Sequence, residues 1–143
     1  MELLPCIELE TTPNPTAAVI WLHGLGADGN DFIPIIPELN LAGCLGIRFV
    51  FPSAPSIPVT LNGGHVMPAW YDIIGRSLMD QEDAAGIKKS AASIVQLIER
   101  EASRGIAYEN IVPIFFLASS LDLLSTTISR MRTRRRIAFT ATF

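Results

Sequence analysis

The stretch that most restricts this chain is Val19-Ile20-Trp21-Leu22-His23-Gly24-Leu25-Gly26-Ala27-Asp28-Gly29-Asn30, where an apolar run breaks into a glycine-rich turn. Asp28, Asn30 and Asp31 then open a helical pattern, so the reading is strand, tight loop, helix N-terminus. Such a junction leaves backbone N–H groups without partners where the helix begins, and negative charge is stabilised there without a charged side chain. The stretch is an anion site by construction. A phosphate and the transient oxyanion of acyl transfer both fit it, and the residues that decide between them lie elsewhere.

Residues 1–16 read as an edge segment and then a loop, because Pro13 and Pro15 cannot donate to a ladder. Ala17–Leu22 is the first buried strand. Asp31–Leu41 has Phe32, Ile35, Ile36 and Leu39 at helical spacing; Pro34 and Pro37 make it a short helix, ended by Gly43 and Gly46. Residues 47–51 form a second strand, stopped by Pro52 and a proline-rich loop through Pro58. Residues 62–72 read as a long irregular connection whose Met67, Trp70 and Tyr71 either touch a ligand or cap a core edge. From Asp80 to Arg104, Ile87, Ala91, Ile94, Val95 and Ile98 share one helical face, with Asp80, Glu82 and Asp83 in the opening turn, Arg100 and Arg104 near the close, and Gly105 at the end. Residues 111–117 are the next strand. Strands alternating with helices predict an α/β fold with a mostly parallel sheet and flanking helices.

At 143 residues with 49% hydrophobic and 17% charged residues, one globular domain is expected. From the acidic start no secretory leader is expected, and no apolar run reaches the roughly 20 residues that span a bilayer. Cys6 and Cys44 are too few and too far apart for a disulfide framework or a metal site, which fits a reduced, cytoplasmic setting. Charge changes sign along the chain: residues 1–112 hold six Lys and Arg against thirteen Asp and Glu, whereas 113–143 hold five Arg against one Asp. The basic tail has no nucleic-acid motif, so no nucleic-acid partner is expected.

Four segments in series carry a family resemblance: His23-Gly24-Leu25-Gly26-Ala27-Asp28-Gly29-Asn30-Asp31-Phe32, Phe51-Pro52-Ser53-Ala54-Pro55, Val59-Thr60-Leu61-Asn62-Gly63-Gly64 and Ala69-Trp70-Tyr71-Asp72. In order and spacing, over roughly residues 5–112, the chain resembles the phospholipase/carboxylesterase family of α/β-hydrolases, whose best-known members are the acyl-protein thioesterases. The resemblance implies a cofactor-free serine hydrolase of small carboxylic esters or thioesters that acts through an acyl-serine. It also implies that the Leu25 N–H is an oxyanion donor, and that Leu61, Met67 and Trp70 border the acyl pocket. In such a loop His23 orders the backbone rather than acting as base, and Gly24 leaves the following N–H groups free to face the substrate oxygen. His65 precedes any nucleophile strand, whereas the hydrolase order is Ser, acid, His.

After Val112 the chain departs from the family pattern. It reads Pro113-Ile114-Phe115-Phe116-Leu117-Ala118-Ser119-Ser120-Leu121-Asp122, with no G-x-S-x-G and no histidine downstream. Ser119, Ser120 and Asp122 lack a glycine elbow and a following base, and read as ordinary polar residues. The expectation is a truncated α/β-hydrolase: residues 1–112 the N-terminal portion of the domain, 113–143 a divergent basic tail, and an open sheet edge that favours self-association. The chain then is either an impaired ester hydrolase or a non-catalytic acyl- or anion-binding remnant. Phosphate binding of the nucleotide-enzyme kind is a third reading, without a P-loop or dinucleotide fingerprint to support it. The switch at Val112 suggests a frame change or a splice to foreign sequence. Resequencing should then find codons for a glycine-flanked serine in another frame; their absence from all frames removes the idea.

Overall fold

The computed structural model describes residues 3–39, 41, 46–75 and 82–115. Gly43, Cys44, Asp80, Ser119, Ser120, Asp122 and the rest of 116–143 lie outside the described residues. Four strands form one sheet in the order β1-β3-β2-β6: β1 (Cys6–Glu10), β2 (Ala17–Leu22), β3 (Ile47–Pro52) and β6 (Ile111–Phe115). β2 runs parallel to both β3 and β6, and β1 is the antiparallel edge. The fold is α/β with a mostly parallel sheet.

Alternation in β2 sends Ala18, Ile20 and Leu22 to one face, all fully buried. Against them lies α1 (Ala84–Ser103), which buries Ile87, Ala91, Ile94, Leu97 and Ile98 in the same core. Val95, assigned to the core face from the sequence, is only half-buried, and Leu97, not named there, is fully buried in the core. On the other face of β2, Trp21 stacks on Phe32 at 5.2 Å and lies 6.3 Å from Phe51.

Two expectations need correction. Residues 31–41 hold no α-helix but two three-residue 3₁₀ turns, Ile33–Ile35 and Pro37–Leu39. Their bonds run from Ile35 N–H to Phe32 O and from Leu39 N–H to Ile36 O, because Pro34 and Pro37 have no N–H to continue an i to i−4 ladder. The proline-rich loop and the irregular connection are also partly regular. β4 (Ser56–Val59) and β5 (His65–Pro68) pair antiparallel as a separate two-stranded ribbon. A four-residue ladder containing Pro58 and opening on Gly63 and Gly64 is too short to show as a period in sequence.

The end of α1 is fastened to the sheet by charge. Glu101 is fully buried; its Oε2 is 2.7 Å from Arg48 Nη1, and its Oε1 is 2.9 Å from Arg100 Nη2 and 3.1 Å from Arg104 Nη1. Arg48 also meets Glu10 at 2.7 Å, and Glu8 bridges Arg100 and Arg104 at 2.8 Å each, so β1, β3 and α1 share one network of three arginines and three glutamates. Removing one partner of such a group strands a buried charge, whereas replacing a pair by apolar residues costs far less. Glu101→Leu alone is expected to lower unfolding free energy by about 3–5 kcal/mol, and Arg48→Met with Glu101→Leu to recover much of that loss. Urea denaturation monitored by circular dichroism checks both.

Candidate functional site

β2 ends at Leu22 and the chain turns at once. Gly24-Leu25-Gly26-Ala27 closes with Ala27 N–H donating to Gly24 O at 3.3 Å, and Gly26 supplies φ +73°, the left-handed value that the third position of a type II turn requires. His23 fixes this turn from beneath, fully buried. Its Nε2 accepts the Ala54 N–H at 2.9 Å, which leaves the ring hydrogen on Nδ1 to donate to Gly24 O at 2.8 Å. Its carbonyl accepts the Trp70 indole N–H at 2.9 Å, and the two rings lie 5.2 Å apart. The loop is thereby tied to the segments following β3 and β5.

The backbone donors of this loop divide into two groups. Gly26 N–H goes to Pro68 O (2.9 Å), Asp28 N–H to Asp31 Oδ2 (2.7 Å), Gly29 N–H to Ser53 Oγ (3.3 Å) and Asn30 N–H to Asp28 Oδ1 (2.7 Å). Among the described residues, the N–H groups of Gly24 and Leu25 have no partner. The predicted helix N-terminus is absent: the loop opens into a 3₁₀ turn, and Asp28 and Asp31 occupy the donors that an external anion would need. Bonds from the backbone and side chain of Asn30 hold the Asp28 carboxyl below its ordinary value. Two carboxylates at the mouth of the loop disfavour phosphate there. Gly29 is required for a different reason: a Cβ there would sit 2.6 Å from Phe51 O.

Of the apolar residues named in the sequence reading, Met67 stands beside this loop, and Leu61 is carried by the 3₁₀ turn between β4 and β5. Leu25 is 37% exposed, Leu61 is 36% exposed on the 3₁₀ turn Thr60–Asn62, and Met67 on β5 is half-buried. Asn62 Nδ2 lies 3.4 Å from Met67 Sδ, and a Cβ on Gly26 would be 3.8 Å from the same sulfur. Trp70 is placed differently. It is 4% exposed within the main core and reaches the loop through His23, while Tyr71 joins the same core. His65 is an exposed residue at the start of β5.

Sequence reading missed the partners of Thr60. The Asp72 carboxylate accepts Thr60 N–H at 2.7 Å and Thr60 Oγ1 at 2.6 Å, and these bonds hold it below its ordinary value. A carboxylate with a depressed value contributes stability above its unfolded pKa and loses it as pH falls through the folded one, so acid and not alkali loosens this contact. Asp83 caps α1 by accepting Gly86 N–H at 2.8 Å, and its other oxygen accepts Asp72 N–H at 3.0 Å. The sequence placed Asp83 inside the opening turn, whereas it is the N-cap of a helix that starts at Ala84; bonds across eleven and twelve residues had no local signal.

The register Leu22↔Phe115 brings the C-terminal end of β6 beside the residue preceding His23. Among the described residues there is no group of three or more His, Cys, Asp or Glu able to hold a metal ion, and no helix long and apolar enough to cross a membrane. A sequence model described as Phospholipase/Carboxylesterase matches residues 6–143, a span that includes the stretch set apart above as a basic tail. Acyl-protein thioesterase 1 of Schizosaccharomyces pombe is 43% identical over 97 residues, covering 68% of this chain and 42% of that protein. The Neurospora crassa protein of the same name is 40% identical over 103 residues. The chain thus spans less than half the length of these curated relatives. The crystal structure of Arabidopsis thaliana SOBER1 superposes with TM-score 0.62 at 29% identity, over 69% of this chain and 48% of that one. Zea mays acyl-protein thioesterase 2 shares the fold at TM-score 0.64 and 20% identity, over 96% of this chain and 74% of that one.

His23→Phe keeps the ring volume but leaves Ala54 N–H buried without an acceptor. It is expected to cost about 2–3 kcal/mol and to raise amide hydrogen exchange at residues 24–29. An unchanged denaturation midpoint would count against this account of the loop.

Proposed function

The chain belongs to the phospholipase/carboxylesterase family of α/β-hydrolases, and from that premise we propose that residues 1–112 form the oxyanion and acyl-binding side of a site for hydrolysis of small carboxylic esters or thioesters. The observation that carries this reading is the division of donors in the loop after β2: the five N–H groups of residues 26–30 are taken, and among the described residues those of Gly24 and Leu25 are not. An acyl carbonyl turned tetrahedral by attack places its negative oxygen against such donors, and Leu25 is the donor proposed here. Leu61 and Met67 offer apolar contact to the acyl chain beside it; Trp70 serves by fixing His23 and Gly24. The reaction proposed for the family site is attack by a serine, an acyl-serine intermediate, and hydrolysis by water through Asp and His.

These 143 residues contain no glycine-flanked serine elbow and no histidine after His65. Assayed on their own, they are therefore proposed to bind acyl groups without efficient turnover. Residues 113–143 are proposed as a non-catalytic basic segment, the protein as cytoplasmic, and the β6 edge as a point of self-association.

An oxyanion donor supplies about 3–4 kcal/mol, and loss of a whole triad costs on the order of 10⁶ in rate. Hydrolysis of p-nitrophenyl esters is expected at least about 10⁵-fold below that of a complete acyl-protein thioesterase, without fluorophosphonate labelling. Ser119→Ala and Ser120→Ala should change nothing. A robust esterase activity abolished by either substitution would show that the tail holds a nucleophile.

A further inference from the structure

We propose that Asp72, itself held by Asp83, is a positioning residue that fixes Leu61 on the acyl side of the site and thereby sets which acyl chain lengths the site accepts. The inference rests on the acyl-site reading given above.

Leu61 has little of its own to hold it in place. It is more than a third exposed, and a three-residue 3₁₀ turn has none of the cooperativity of a longer helix. The residue preceding the turn, Val59, offers no side-chain cap. The turn runs out into Gly63 at φ +67° and Gly64 at φ +79°, and a Cβ at either would meet nothing within 4 Å, so no packing clamps that end. Gly63 N–H to Thr60 O and Gly64 N–H to Val59 O close the turn on itself, and what ties it to the rest of the fold next to Leu61 is hydrogen bonding to residues 72 and 73. Thr60 N–H and Thr60 Oγ1 both donate to the Asp72 carboxylate, and Leu61 N–H donates to Ile73 O at 2.8 Å.

Asp72 is in turn fixed from the core. Its N–H donates to Asp83 Oδ2, while Asp83 Oδ1 caps α1. Gly86 is what lets these groups approach, since a Cβ there would collide with the Asp83 carboxylate and come within 3.1 Å of Tyr71 Cβ. The relay therefore runs from the buried face of α1 through Asp83 and Asp72 to the backbone on either side of Leu61. From Leu61 the same ribbon reaches Met67 through Asn62, and Pro68 O holds Gly26 of the oxyanion loop. Breaking the relay at Asp72 frees the acyl wall and leaves the bonds made by His23 and Gly26 intact. Because the Thr60–Asp72 contact is exposed, its loss acts on local order far more than on global stability.

The test compares binding of octanoate and acetate to the purified chain, read by tryptophan fluorescence, with amide hydrogen exchange measured on the same samples. The unmodified chain is expected to prefer octanoate. Asp72→Ala should weaken octanoate about tenfold, the worth of losing one well-placed apolar contact, and leave acetate unchanged. Thr60 and Leu61 amides should lose protection while those of α1 keep theirs. Asp72→Asn retains an acceptor for Thr60 N–H and should restore most of the octanoate affinity. If Asp72→Ala does not fold, Thr60→Val removes the hydroxyl bond alone and should shift the octanoate preference in the same direction by about two- to threefold. Equal weakening of both carboxylates, or unchanged protection at Thr60 and Leu61, overturns the proposal. An unmodified chain with no preference for octanoate overturns the acyl-site reading and the chain-length role with it, while exchange at Leu61 still reports whether Asp72 holds the turn.

Discussion

A histidine with no solvent exposure closes the end of β2, and the loop that follows depends on how its two nitrogens and one carbonyl are spent. Nε2 takes a backbone N–H from beyond β3, Nδ1 gives its hydrogen to the loop, and the carbonyl takes the indole N–H of Trp70 from beyond β5. Three chain segments far apart in sequence meet on one residue. Each of these bonds is buried or half-buried, so each group left unpaired would cost more than the bond itself contributes in the open. The loop is rigid for that reason, and a rigid loop can hold two donors idle without collapsing on them.

Idle donors are unusual in a folded chain, where backbone N–H groups nearly always find partners. Here the local sequence explains which remain. A turn with glycine in the left-handed region at its third position assigns its own closing bond to Ala27 and sends Gly26 N–H across to Pro68, leaving Gly24 and Leu25 without partners among the described residues. Past the turn, Asp28 and Asp31 fold their carboxylates back on N–H groups of the same loop. The pattern separates the two anions that the sequence left open. A phosphate would need several consecutive donors and a positive surround, and both are cancelled by the aspartates. A single developing oxyanion needs only the pair that remains.

The parts of the fold legible in sequence are those governed by local periodicity. Ala17–Leu22 is a short apolar run and forms a strand, and the apolar residues of 84–103 recur at three and four and form the helix. The spacing of Phe32, Ile35 and Ile36 fits a helix equally well, but Pro34 and Pro37 remove the donors such a helix needs, and the structure shows the prolines outweighing the spacing. Partners that matter by distance in space had no such signature. Nothing in the order of residues joins Thr60 to Asp72, Ala54 to His23 or Arg48 to Glu101. Trp70 shows the limit most plainly: an aromatic in a glycine- and methionine-rich segment reads equally as pocket wall or core, and its position beneath His23 makes it core with an indirect reach to the site.

The parallel register fixes where any chemistry at this loop has to arrive. Because Leu22 pairs with Phe115, β2 and β6 end side by side just before His23. Ligands of open parallel sheets gather at such carboxyl ends, where loops from neighbouring strands converge. An attacking group for a carbonyl bound at Leu25 must sit about 3 Å from it, a span covered by a single residue of extended chain. The proposed reading therefore calls for a nucleophile in the sequence that follows Phe115, with a second N–H brought to the same oxygen. Glycines on both sides of that residue are the ordinary means of making so sharp a turn, and Phe116-Leu117-Ala118-Ser119-Ser120 contains none. The proposed oxyanion role of Leu25 and the sequence that follows Phe115 thus point to different functions, and the proposed binding of acyl groups without efficient turnover reconciles them.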